Sequence, residues 1–292
     1  MKIHLFFRFQ PFATLLCKLL SQPDMKLSAV TIVCFSLVLT GCVRQVYLQS
    51  PLQATDHPYR SIPMVSDGIK NSVYASASIV GGGANQNLRD GIFQFQGSVH
   101  RAHTWQHFQA FYGLTGMIGN YHVAEATSYT LNGDPIRTPG PWNRYTAALG
   151  AFGGAGFVIP FGSGSEWRVF GVETSYQREF GDYLQYRRKF PDSVATIVGR
   201  ENYFHTVGMS TNIIKRFRKS GNTFGYKFGF HLSTNRLRRL NMYDTYTDRY
   251  VLPAFVSNTL HLTRRRVTYY AQINAGTFAL NMQTGINVRL DN

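Results

Sequence analysis

From Val73 onward the chain alternates apolar and polar positions with a period of two. Phe224, Tyr226, Phe228, Phe230 and Leu232 alternate with Gly225, Lys227, Gly229, His231 and Ser233. Val267, Tyr269, Ala271, Ile273 and Ala275 alternate with Thr268, Tyr270, Gln272 and Asn274, and the same rhythm runs from Leu280 to Leu290. Successive side chains of a strand point to opposite faces, so the pattern predicts strands with one apolar face. Ten are expected, over roughly 72–80, 91–101, 106–121, 143–159, 166–178, 203–216, 222–235, 250–261, 266–275 and 280–290. No stretch of the body carries a convincing helical period. Several segments exceed the length of an ordinary strand and match the roughly 9–11 residues that a tilted strand needs to cross a bilayer.

The connections between these segments alternate in length. Those at 102–105, 160–165, 217–221 and 262–265 are short. Those at 81–90, 122–142, 179–202 and 236–249 are long, and 276–279 breaks the alternation. Short turns at one rim and long loops at the other are the habit of transmembrane β-barrels. The expected fold is all-β: an antiparallel up-and-down β-barrel of about ten strands, with eight or twelve also compatible with the C-terminal spacing. One strand face holds Phe, Tyr, Leu, Val, Ile and Ala. The other holds Gln, Asn, Ser and Thr, with Glu173, Lys227 and Arg289. Alternation alone looks the same inside out. An oily exterior means a membrane barrel; an oily interior means a soluble, lipocalin-like one. The direction of the Phe224–Phe230 row decides between them.

Composition favours the membrane version. Charged residues are 15% of the chain, against roughly 25% in soluble domains. The net charge is +15, which suits anionic lipid or lipopolysaccharide. No finger, P-loop or basic amphipathic helix accompanies it, so nucleic acid is not expected as a partner. Cys17, Cys34 and Cys42 are the only cysteines. The body therefore has neither disulfide nor cysteine metal site.

Read from Met25, the chain runs MKLSAVTIVCFSLVLTGC. A lysine, an apolar run from Leu27 to Leu39 and small Gly41 have the order of a secretory signal. Leu39-Thr40-Gly41-Cys42 resembles a bacterial lipobox. The resemblance implies cleavage before Cys42 and acylation of its thiol and amine. Residues 1–41 are then a signal region, with Met25 as the working start and the upstream part surplus. Residues 42–71, with Pro51, Pro58 and Pro63, read as a lipidated N-terminus and extended tether, and 72–292 as the barrel domain. Val43 in place of Asp points to the outer membrane. The absence of an acidic cluster after Cys42 favours a periplasmic anchor without deciding it.

Two basic clusters fall at short turns: Lys215, Arg216, Arg218 and Lys219, and Arg264, Arg265 and Arg266. Arg236, Arg238 and Arg239 begin a long loop. Solvated turn charge is one reading; contact with lipid phosphates at the rim is the functional one. His100, His103 and His107 lack a fourth ligand and an HExxH pattern, so no metal is expected. His231 with Ser233, or His100 with Ser98, are the pairings a lipid hydrolase or acyltransferase would use, but no GxSxG elbow supports them. Neither catalytic residues nor a cofactor are assigned. Gly81-Gly82-Gly83 reads as a loop. The 122–142 loop, with three prolines and Trp142, is long enough to fold into a lumen or bind a partner.

The lipobox, the tether with Tyr47 and Pro63, the Gly-spaced strands and the terminal Gly285-Ile-Asn-Val-Arg-Leu together resemble small outer-membrane β-barrel lipoproteins of Bacteroidota. That group implies location and fold but no chemistry. The chain ends Leu290-Asp-Asn, without the terminal aromatic that many such barrels present to the insertion machinery. The expected role is structural or accessory in the outer membrane, or passage of a small solute, with an outer-membrane protein as a partner to be considered. The alternatives are a soluble lipoprotein holding an apolar ligand and a lipid-modifying enzyme.

Overall fold

The computed structural model describes residues 47–85, 88–124, 127–129, 135–137, 142–162, 164–190, 197–239, 249–277 and 279–291. Leu39, Thr40, Gly41 and Cys42 lie outside them. Ten long strands form one closed ring: β1 (Asn71–Ala84), β2 (Asp90–Thr104), β3 (Phe108–Val123), β4 (Trp142–Phe161), β5 (Ser165–Phe180), β6 (Tyr203–Arg216), β7 (Thr223–Ser233), β8 (Ala254–Arg264), β9 (Val267–Gly276) and β10 (Ala279–Arg289). Each pairs antiparallel with its sequence neighbours. The seam is β10 against β1, in register from Ala279↔Ala84 to Arg289↔Tyr74. Closure leaves no barrel strand with an unpaired edge, which a bilayer requires because its core offers the backbone no water to bond.

The decisive row points outward. Phe224, Tyr226, Phe228 and Phe230 are 38–43% exposed. Leu114, Val99, Leu149, Ile118 and Met282 are also on the outside. The inward positions are Gln94, Gln96, His100, Gln272, Asn281 and Gln283, all buried. This is a membrane-type barrel with an apolar wall and a polar interior. The soluble, lipocalin-like alternative is thereby corrected: its apolar ligand cavity would need the Phe row inside. No helix of the described residues is long and apolar enough to cross a membrane; the crossing elements are strands.

Three further expectations change. Gly81–Gly83 is strand, not loop, and pairs with Gly91–Phe93 on one side and Leu280–Met282 on the other. A Cβ at Gly82 would collide with the backbone at Leu280 and Asn281, so glycine is what lets β1 continue there. The connection to β2 shrinks to 85–89, and long loops remain only at 124–141, 181–202 and 234–253. Second, a helix does occur in the body. One helical turn, α1, covers Leu52–Thr55, and α2 covers Asp182–Lys189. α2 has Asp182 in its first turn and Arg187, Arg188 and Lys189 in its last, charges that complement the helix dipole. Gly181 precedes it at φ 110, with its Cβ position 2.6 Å from the Tyr145 carbonyl oxygen. Eight residues are too few to display a helical period.

Third, the described part of the 42–71 stretch is not an extended tether. Tyr47–Leu48 adds a parallel strand to Ile197–Val198 in a small sheet built from the long loops, completed by Leu237–Arg239 and Arg249–Val251. From there Leu48, Leu52, Ala54, Tyr59 and Met64 are buried, and so are the polar Gln49, Gln53, Asp56, His57 and Arg60. The physical reason is the polar lining of the barrel. Ten strands leave an interior that side chains and one chain can fill, and a polar segment is what such an interior accepts. Pro51, Pro58 and Pro63 fit there because the segment bonds to lumen side chains through its carbonyls, which proline retains.

Candidate functional site

The lumen is the site, and residues 48–69 run through it from the long-loop end to the short-turn end. At the entrance, Gly199 N donates to Leu48 O at 2.8 Å and the Tyr183 hydroxyl to Gln49 O at 3.0 Å. Tyr183, from α2, stacks on Tyr121 of β3 with ring centroids 3.8 Å apart. Ala54, Ala84, Ile92, Val123 and Ala279 pack with them into an apolar stopper. Burial pushes the Tyr183 phenol well above its usual pKa. Arg187 of α2 pairs with Glu179 at the end of β5, both fully buried.

Deeper in, lumen side chains bond the carbonyls of the segment in order. Asn281 donates to Ala54 O at 3.1 Å and Gln96 to Thr55 O at 2.9 Å. Gln272 donates to His57 O at 2.9 Å, Asn287 to Tyr59 O at 3.3 Å and Arg168 to Ile62 O at 2.9 Å. Near the exit, Thr104 and Gln109 both donate to Pro63 O, at 3.0 and 3.1 Å. The donors come from β2, β3, β5, β9 and β10, so much of the circumference holds the segment. Its own groups answer: Asp56 accepts from Ser175 at 2.7 Å, and Val65 N donates to Glu166 at 3.0 Å. Rings fill the remaining space. The Arg60 guanidinium lies 3.4 Å from the Phe152 centroid, His57 meets His231 edge-on at 4.5 Å, and Tyr59 stacks on His261 at 4.4 Å. Glu173 and Lys227 form a lumen ion pair, with Ser210 donating to Glu173 at 2.8 Å.

The pairings considered for catalysis do not form. His231 shares a hydrogen bond with Ser257 at 3.1 Å, not with Ser233, and is covered by His57. His100 bonds the Ser61 carbonyl at 2.9 Å, while Ser98 Oγ has no partner among the described residues. His103 points outward and stacks on Trp105 and Tyr112. Among the described residues no group of three or more His, Cys, Asp or Glu is placed to hold a metal ion. In the 122–142 loop, Thr127–Tyr129 pairs with Pro135–Arg137; the lumen filler is the N-terminal segment.

The basic clusters lie together at the short-turn rim. Lys215 and Arg216 end β6, Arg218 and Lys219 follow in its turn, and Arg264–Arg266 join β8 to β9. Arg216 pairs with Asp67 as the segment leaves the lumen. Arg289, at the end of β10, donates its backbone N–H to Arg266 O at 2.8 Å. Leu237–Arg239 lies at the opposite rim, in the loop sheet.

No protein-family model matches the sequence, and no curated protein does. Among solved structures, the chain is similar to the translocator domain of the autotransporter NalP from Neisseria meningitidis, with a TM-score of 0.36, 9% identity and coverage of 77% of this chain and 92% of that one. An outer membrane channel from Pseudomonas putida F1 matches with a TM-score of 0.36, 8% identity and coverage of 80% and 99%. The β domain of the Bordetella autotransporter BrkA matches with a TM-score of 0.36, 9% identity and coverage of 76% and 100%. Likenesses of this size say nothing about function.

Proposed function

We propose that this protein is a lipid-anchored outer-membrane β-barrel whose lumen is closed by its own N-terminal segment, and that it serves as a fixed structural or accessory element of that membrane. The observation that carries this reading is the row of lumen donors spent on the carbonyls of residues 54–63. The segment held by these bonds occupies the space that a passing solute would use. The lipobox-like Leu39-Thr40-Gly41-Cys42 supports acylation at Cys42. Five residues span at most about 18 Å, so an acyl group on Cys42 would be tethered to Tyr47 by a short length of chain. Long loops face outward in outer-membrane barrels, which favours an anchor in the outer leaflet over the periplasmic one. The short-turn rim, with Lys215, Arg218, Lys219 and Arg264, then faces phospholipid phosphates rather than lipopolysaccharide.

Planar-bilayer recording of the full chain tests the closed lumen. No steady conductance is expected, and a stable open level from the wild type overturns the reading. Metabolic labelling with palmitate tests the anchor separately: label on the wild type should be lost in Cys42→Ala.

A further inference from the structure

A cavity of about 270 Å³ opens at the short-turn end of the lumen, where residues 59–69 leave it. Arg216, Arg265, Arg266 and Arg289 line it, against a single lining carboxylate, Asp67. Asp67 is engaged by Arg216, and Asp291 lies 4.0 Å from Arg289 outside the lining. Against one lining carboxylate, the four guanidiniums leave the cavity wall net positive, which attracts an anion. Two features show that the gathering is built in. The backbone hydrogen bond from Arg289 to Arg266 fixes those two residues side by side. Arg265 holds φ 55, a left-handed conformation that glycine or asparagine adopts at less cost. A strained arginine at a turn where a smaller residue would be cheaper is a sign of use.

The floor of the cavity points the same way. Ser61 and His261 put polar side chains in the lining, with Thr223, Thr263 and Thr268 beside them. The stacked Tyr59 and His261 rings form part of the cavity wall. Guanidinium forks match tetrahedral oxyanions, offering paired N–H groups to two oxygens at once. We propose that this vestibule is a binding site for a phosphate-class oxyanion, whether free or carried on a lipid headgroup. The site is separate from the question of conductance and of acylation, since neither uses these arginines as cavity lining.

The test uses the full chain in nonionic detergent, with inorganic phosphate titrated against chloride at constant ionic strength. Phosphate should raise the unfolding temperature saturably. Arg265→Gln/Arg266→Gln, at exposed turn positions, should weaken the apparent affinity about tenfold or more while keeping the strand circular-dichroism signal. Arg236→Gln/Arg238→Gln removes the same charge from the opposite rim and should leave the affinity unchanged. A second arm places the same proteins, in phosphate-free buffer, in nanodiscs of zwitterionic phosphatidylcholine with or without anionic phosphatidylglycerol. An arginine-dependent response to phosphatidylglycerol alone assigns the site to a headgroup and upholds the phosphate class. The proposal fails if neither probe acts beyond chloride, or if both double variants weaken the response equally.

Discussion

Gln272 of β9 donates its side-chain amide to the backbone carbonyl of His57 at 2.9 Å, joining positions 215 residues apart in sequence. The same amide group also reaches Asn274 Oδ1 at 2.7 Å, and Thr259 donates to Gln272 Oε1 at 3.1 Å. One side chain thus ties the threaded segment to the wall that encloses it.

Gln272→Leu removes both donors and the acceptor from a buried position. Each orphaned group costs about 1–3 kcal/mol. Hydrogen exchange of the 54–60 amides should accelerate relative to the strands, and the unfolding midpoint should fall. Unchanged exchange in the segment would show that the lumen bonds do not hold it.

Leu114 is 68% exposed near the middle of β3. In a bilayer, Leu114→Arg should cost about 2–4 kcal/mol. In a water-soluble barrel the same exchange would cost less than about 0.5 kcal/mol. Urea titration of the folded fraction in phosphatidylcholine vesicles separates the two outcomes.

Arg187 and Glu179 are both fully buried and paired. Arg187→Met leaves a buried carboxylate without its counter-charge and should destabilise by about 3–5 kcal/mol. Arg187→Met/Glu179→Gln should recover part of that loss, because the unpaired charge is gone. Denaturant unfolding of the single and double variants measures the difference.

Gly82 lies on the seam, facing Asn281. Gly82→Val forces a branched side chain into backbone at Leu280 and Asn281. Overpacking of this kind costs about 1–3 kcal/mol. Protease nicking at 85–89, beside the seam, should increase, whereas Gly81→Val, with open space around its Cβ and an ordinary strand backbone, should leave that connection protected.

The wall was legible because its signal is local. Phe224 to Leu232 alternate without a break, and the structure puts β6 at the span expected from sequence, 203–216. Gly81–Gly83 was missed because their strand conformation is dictated by the strands on either side, one of them about 200 residues away, and not by their own preference. The lumen segment was missed for a related reason. Gln49, Gln53, Asp56 and His57 look like solvent-facing residues, and in a soluble protein such a run would be outside. A barrel with an oily wall inverts that rule, because its inside is the polar side. The clue available in sequence was the ring size: ten strands enclosing Gln, Asn and His leave room for a polar filler but not for a water-filled channel. The basic vestibule was half legible. Arg216, Arg265 and Arg266 stood out as turn charge, but only the barrel brings Arg289 beside them.

Residues 48–69 pass through a ring that the last strand of the chain closes. This segment, synthesised before any barrel strand, must therefore be in place before β10 meets β1, or be drawn lengthwise through the finished hoop. Once the seam is shut, the segment can leave only by reeling its N-terminus through the barrel or by parting β1 from β10. A group too large or too apolar for the polar lumen, attached ahead of Tyr47, would act as a knot at the long-loop end of that thread. The barrel and its leading segment would then stay joined as a bead stays on a knotted string, held by topology as well as by hydrogen bonds.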